Sequence, residues 1–228
     1  MDKSKNLHGH LFALTANVMW GLMAPIGKSA LQEFSALSVT TFRMIGAAAG
    51  FWMLSIFCKQ EHVNHRDMLK IFFASLFALV FNQGIFIFGL SMTSPIDASI
   101  VTTTLPIVTM IVAAIYLKEP ITNKKVLGIF VGAMGALILI LSSQAASGGN
   151  RNLIGDLLCL VAQISFSIYL TVFKGLSQQY SAVTINKWMF VYASICYIPF
   201  SYYDISTIQW ACISVSYTHL RAHETVLD

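Results

Sequence analysis

Charge is what this chain has least of. Only 11% of its 228 residues are Asp, Glu, Lys or Arg, less than half of the roughly 25% usual in a soluble domain. A soluble fold with 56% hydrophobic residues and a mean hydropathy of +0.69 would expose large apolar patches. Short alternating strands are missing as well, which argues against an outer-membrane barrel. There is no phosphate-binding glycine loop, no G-x-S-x-G elbow and no H-E-x-x-H pair. Nucleotide-driven pumping, serine hydrolysis and zinc proteolysis therefore lack their usual marks. The four cysteines, Cys58, Cys159, Cys196 and Cys212, are spread out with no metal or redox spacing. They read as inert buried residues, and no cofactor is expected.

What the chain does have is apolar length. Stretches near residues 10–31, 37–57, 69–90, 96–117, 125–142, 154–174 and 183–201 each approach the ~20 residues a spanning helix needs. An eighth begins near residue 208. The expected fold class is all-α, a polytopic membrane protein with about seven transmembrane helices, and its first partner is the lipid bilayer. The net charge of +4 reads as loop charge that sets orientation, so no nucleic acid partner is expected. Lys3 and Lys5 precede the first stretch, Lys59, Arg66 and Lys70 surround the second loop, and Lys118, Lys124 and Lys125 occupy the fourth. Lys174 and Lys187 flank the sixth, whereas the third, "SMTSPI", has no basic residue. The N-terminus is accordingly expected in the cytoplasm. The first stretch is too long for a signal peptide's apolar core and reads as a retained helix.

The chain also repeats itself. Laying "GHLFALTANVMWGLMAPIGK" over "GDLLCLVAQISFSIYLTVFK" matches Gly9 with Gly155 and Lys28 with Lys174. The same register carries on to pair Gln32 with Gln178, Ser35 with Ser181 and Ala47 with Ala193. Five helices separate the copies, so the second enters the membrane from the opposite side. Inverted repeats mark secondary transporters, with the solute near mid-membrane where the copies meet. Two full copies need ten helices in two inverted five-helix repeats. The expected division is residues 1–146 for the first repeat and 147–214 for an incomplete second.

Polar residues inside the apolar stretches are the candidate solute path, because burying them in lipid is costly. Asn17, Gly21, Ala24 and Lys28 share one helical face, with Trp20 beside them. The repeat places Gln163, Ser167, Leu170 and Lys174 on the matching face. Either reading fits: a polar path with a cation at each mouth, or lysines snorkelling to headgroups while amides bond neighbouring helices. Arg43 must meet water, a carbonyl or a carboxylate, with Glu33 and Asp97 as candidate partners, and acts as a clamp or as an anion site. Asn82 and Gln83 lie deep in the third stretch. Thr102, Thr103 and Pro106 lie in the fourth, where Pro106 frees a backbone carbonyl. Ser94, Pro95 and Asp97 resemble a helix cap, and Glu119 is expected to pair with a loop lysine. Gly46-x-x-x-Gly50 and Gly128-x-x-x-Gly132 permit close helix contact.

Several of these residues carry a resemblance. Trp20-Gly21, Arg43, the small-residue entry to the fourth stretch with Pro106 inside it, Glu119 at its end and the glycine-rich fifth stretch resemble the EamA family of the drug/metabolite transporter superfamily, over residues 9 to about 210. The resemblance implies a ten-helix exporter or exchanger of small metabolites, such as amino acids, in the bacterial inner (cytoplasmic) membrane. Small relatives in that superfamily couple to protons through a glutamate in the first helix. This first helix has no acid, so a proton, a counter-solute or neither stays open as the coupled species. A membrane-embedded enzyme and a non-transporting scaffold are the alternatives. The last residues, "VSYTHLRAHET" at 215–225, resemble no part of the family and are similar to a translated sequencing adapter. The expectation is a truncated frame, inactive as it stands, whose residues 215–228 are an adapter-derived tail. His219, Arg221, His223 and Glu224 then carry no function.

The lysine and arginine asymmetry makes a prediction about orientation. A reporter active only in the cytoplasm should work when fused after Lys59 or Lys125 and be silent after Ser94 or Asn150. The reverse pattern would invert the topology.

Overall fold

Helices account for nearly all of the described chain. A computed structural model describes residues 3–118, scattered residues between 127 and 138, and residues 153–208. In order these are α1 (Lys3–Glu33), α2 (Ala36–Ile56), α3 (His65–Ser75), a π-helical segment (Leu76–Phe81), α4 (Asn82–Met92), α5 (Pro95–Thr102) and α6 (Leu105–Tyr116). They are followed by α7 (Leu153–Val172), α8 (Lys174–Gln179) and α9 (Ala182–Ser206). Among the described residues there is no strand. Ala36–Ile56, His65–Met92, Pro95–Tyr116 and Leu153–Val172 are long and apolar enough to cross a membrane. α1 and α9 have the length, but Asn17 and Lys28 in one and Asn186, Lys187 and Asp204 in the other lower their hydropathy. The fifth expected stretch, Glu119, Cys212 and the tail lie wholly or largely outside the described residues.

Three expected helices differ in detail. The third stretch contains the π segment, where each amide reaches one residue further back and the local ladder loosens. The fourth is two helices, not one with Pro106 inside. α5 stops at Thr102, a turn at Thr103 and Thr104 follows, and Pro106 falls in the first turn of α6. Proline fits there because a first-turn amide has no intrahelical partner to lose. The sixth stretch also breaks, at Phe173, and α8 completes the length that α1 covers unbroken.

Ser35 and Ser181, which the sequence alignment sets opposite each other, both cap helices. Ser35 precedes α2 at φ −63°, ψ 154°, and its hydroxyl accepts the amide of Ser38. Ser181 precedes α9 at φ −65°, ψ 151°, and its hydroxyl accepts the amide of Thr184. Each cap also meets a carboxylate. Ser35 Oγ donates to Asp204 Oδ2 at 2.6 Å. Ser181 donates to Glu61 Oε2 through its amide at 2.9 Å and its hydroxyl at 3.0 Å. α2 and α9 therefore run antiparallel, each N-terminus clasped by an acid near the other's C-terminal end. Between the clasps lie Thr41 Oγ1 on Ser201 Oγ at 2.9 Å, stacked Phe51 and Phe190, and an edge-on Trp52–Trp188 pair. Lys187 is buried there, its Nζ 5.2 Å from the Trp52 ring and 3.3 Å from Gln60 Oε1.

α4 and α7 approach most closely at two glycines. A Cβ on Gly89 would lie 2.8 Å from the Gly155 carbonyl oxygen, and one on Gly155 would lie 2.9 Å from the Gly89 oxygen. Backbone cannot move aside as a flexible side chain can. The motif singled out in α2 does no such work, since a Cβ at Gly46 or Gly50 meets nothing within 4 Å. Gly128 likewise meets nothing, whereas one at Gly132 would meet Ile107 Cδ1 at 2.9 Å. Around these contacts sit two buried clusters. One joins Met44, Ile71, Ala78, Met189, Ala193 and Tyr197, and the other joins Val39, Phe86, Ile87, Leu90, Cys159 and Ala162.

Two predictions follow from this packing. Gly89→Ala and Gly155→Ala should each destabilise the protein by about 1–3 kcal/mol through overpacking, while Gly50→Ala should not. Thermal unfolding in detergent reads the difference. Hydrogen bonds led by the Ser181 amide hold Glu61 below the usual carboxylate value. A depressed carboxylate contributes stability above its unfolded value that is lost as pH falls through the folded one. The thermal midpoint should therefore drop on acidification below the ordinary carboxylate range, and Glu61→Gln should lessen that drop.

Candidate functional site

The middle of the bundle holds one connected polar chain. Arg43 on α2 donates through Nη2 to Gln83 Oε1 at 2.9 Å and to Met23 Sδ at 3.3 Å. Gln83 Nε2 donates to Asn82 Oδ1 at 3.0 Å, and Asn82 Nδ2 to the Ala162 carbonyl at 2.8 Å. The chain thus runs from α2 through the first turn of α4 to α7. Of the acceptors expected for Arg43 it meets a carbonyl, that of the Gln83 side chain, and neither candidate carboxylate, Glu33 or Asp97, hydrogen-bonds it. It lies two turns into α2, ~12 Å from Ser35, while Asp97 is held at the start of α5 by Ser94. That serine accepts the Asp97 amide at 3.1 Å and donates to Oδ2 at 2.8 Å, the expected cap. Arg43 Nη1 is buried with no hydrogen-bond partner. A buried unsatisfied donor costs ~1–3 kcal/mol and more when charged.

The π segment is pinned to its neighbours at the same depth. Ser165 Oγ donates to the Phe77 carbonyl at 2.7 Å, and Tyr197 Oη donates to the Val80 carbonyl. Ser75 Oγ reaches back to the Met189 carbonyl at 2.7 Å. Gly84 makes the tyrosine contact sterically feasible, because a Cβ there would collide with the Tyr197 hydroxyl. Sequence reasoning did not single out Tyr197, Ser165 or Met23. A π segment carries no pattern that marks it, and only its loosened carbonyls explain why these side chains matter.

The remaining path candidates scatter. Lys28 is not free at a mouth. Its Nζ donates to the carbonyls of Leu90, Ser91 and Thr93 at 2.8, 3.1 and 2.7 Å. An ammonium has three donors, so all are used to close the C-terminal end of α4, where orphan carbonyls favour a cation. Nearby, Thr93 Oγ1 donates to the buried Asp156 at 2.7 Å. Lys174 is exposed at the start of α8, and Gln163 is buried at 3% exposure. Asn17 is exposed and bonds its own helix at the Ala13 carbonyl, 2.8 Å away. Trp20 is 49% exposed, with its ring 6.1 Å from Phe166. Thr102 and Thr103 turn their hydroxyls onto the carbonyls of Ser99 and Ile100, both at 2.6 Å. They close the last turn of α5, and Pro106 is exposed beyond it.

Cavities adjoin these groups, including one of about 270 Å³ beside Gly84 and Tyr197. One of about 390 Å³ lies between α1 and α2, walled by Met19, Met23, Ile26, Phe34, Phe42 and Arg43 among others. Another, of about 460 Å³, lies between α1 and α5 beside the break, with Gly21, Pro25, Ser99 and Thr103 on its wall. Among the described residues no group of three His, Cys, Asp or Glu side chains could hold a metal ion.

Comparison with known proteins points one way. An archaeal protein from Archaeoglobus fulgidus, named only as an uncharacterized transporter, is 28% identical over 190 residues, covering 83% of this chain and 66% of its own length. The Bacillus subtilis proteins YetK and YyaM, named in the same words, are 20% and 27% identical and cover 92% and 72% of the chain. The chain spans 65% and 55% of their lengths. No solved structure matches. The EamA-like transporter family matches residues 7–141, more than half of the chain and every element from α1 to α6, including Arg43, Asn82 and Gln83. This chain, helical over its described residues and carrying a part-buried guanidinium and amides between its helices, belongs to the EamA-like transporter family.

Proposed function

We propose that this chain is the larger part of a secondary transporter that carries a small organic solute through the middle of the bundle. One observation carries the reading: the Arg43–Gln83–Asn82 chain lies in spans apolar enough to cross a membrane. Charged and amide side chains at that depth are expensive and mark solute pathways. The segments around it support the same reading. Discontinuous helices in transporters sit beside substrate sites, and here the α5/α6 break and the π segment flank α4. Exporters or exchangers of small metabolites such as amino acids, in a bacterial inner membrane with a cytoplasmic N-terminus, are the form we favour. A proton, a counter-solute or neither is the coupled species, and an enzyme or a scaffold is the alternative class.

The repeat belongs to this proposal. In it, residues 1–146 form one five-helix repeat and residues 147–214 part of an inverted second. The shared Ser35 and Ser181 caps on antiparallel helices support that division. Of the path residues, Asn82 and Gln83 line the route with Arg43. Lys28 acts as a lock on α4 instead of a mouth.

Proteoliposomes holding the transporter with both repeats complete test the reading against a panel of labelled metabolites. At least one should enter above the level of empty vesicles. Asn82→Leu and Gln83→Leu should lower its flux roughly tenfold, about 1.4 kcal/mol in barrier. Flux at the wild-type rate in both folded variants would move the route elsewhere.

A further inference from the structure

We infer that the cavity between α1 and α2 is a site for a monocarboxylate with an apolar body, held through both terminal nitrogens of Arg43. This deepens the transporter reading by naming the solute class, and it rests on that reading for its role in transport.

Two other cations that pack into the bundle are already engaged. Lys28 has all three protons on backbone carbonyls. Lys187 is buried against Trp52 and bonded to Gln60. Arg43 differs. No carboxylate among the described residues hydrogen-bonds it. Its partners are the neutral Gln83 and the thioether of Met23, and Nη1 has none. A guanidinium is never neutralised by losing its proton. The charge therefore stands in the bundle without a counter-ion from these residues.

The second observation is the cavity itself. Arg43 forms part of its wall, and so does Met23. A thioether is a weak acceptor on a flexible side chain. Met23 thus occupies, at Nη2, the place of a better acceptor, and its rotation uncovers the guanidinium edge. A carboxylate entering from the cavity can then bridge Nη1 and Nη2 in the two-pronged geometry that suits this pair. The rest of the wall selects the body of the solute. Met19, Ile26, Phe34, Val39 and Phe42 offer no charge and no strong hydrogen-bonding group. A volume of about 390 Å³ falls in the range of small-ligand pockets. An aromatic or branched aliphatic acid fits these walls, whereas a polyol or a cation does not.

The test uses the chain in nanodiscs of zwitterionic lipid, with two probes of one shape. 3-Phenylpropanoate should raise the thermal midpoint in a saturable way, and 3-phenylpropanamide should not. Arg43→Gln should weaken carboxylate binding roughly tenfold or more. Met23→Leu, which removes the sulfur and keeps the bulk, should bind at least as tightly as wild type. Equal stabilisation by acid and amide, or binding unchanged in a folded Arg43→Gln variant, would overturn the site. Should that variant not fold, the acid–amide comparison on wild type still decides. Oleate displacing the probe at concentrations far below the probe's own would assign the cavity to a lipid carboxylate and sink the solute. The two readings fail differently. A carboxylate that binds but is not carried in vesicles supports the site and removes transport. Flux of neutral or cationic solutes with no preference for carboxylates overturns the site and leaves transport standing.

Discussion

Hydrocarbon gives a polar group no water to fall back on, and this constraint organises the described bundle. Each departure from a regular helix creates donors or acceptors that something must meet. The π segment loosens carbonyls, and Ser165 and Tyr197 come from α7 and α9 to take them. The end of α4 leaves carbonyls, and Lys28 comes from α1. The end of α5 leaves others, and the threonines of the following turn fold back onto them. Interhelical hydrogen bonds in membranes are worth only ~0.6 kcal/mol on average. Their weight here lies in specificity, since each fixes which helix lies beside which irregularity. Arg43 Nη1 stands out against that background as a buried side-chain donor left unmet.

The apolar stretches were legible because a span is a property of composition summed over about 20 residues, which tolerates errors at either end. The Ser94–Asp97 cap was legible because a cap needs only a few neighbouring residues. The alignment of Ser35 with Ser181 was legible too, but that both serines cap helices was not read from it. Partners across the bundle were not legible. For Arg43, charge made Glu33 and Asp97 the candidate carboxylates, but depth decides, and the side-chain carbonyl of Gln83 is the acceptor at its level. Nor was Lys28, whose spacing on a helical face suited a path equally well. Which way that face turns depends on α4, and no pattern within α1 records it. The glycines show the limit plainly. Gly46-x-x-x-Gly50 has the packing motif and meets nothing, while Gly89 and Gly155, with no partner at that spacing, touch backbone to backbone.

The two segments proposed as copies of a repeat agree in one respect and differ in another. Their second helices begin at equivalent serines with backbone angles within a few degrees, and each start is clasped by an acid from the other's far end. Their first helices diverge. α1 is continuous and its Asn17 is exposed, whereas the second copy breaks at Phe173 and its Gln163 is buried. Under the proposed inverted relation, these equivalent residues lie in opposite halves of the membrane. The α2–α9 pair is held by an acid–serine clasp at each end, whereas α1 walls the cavities beside Arg43 and beside Thr103.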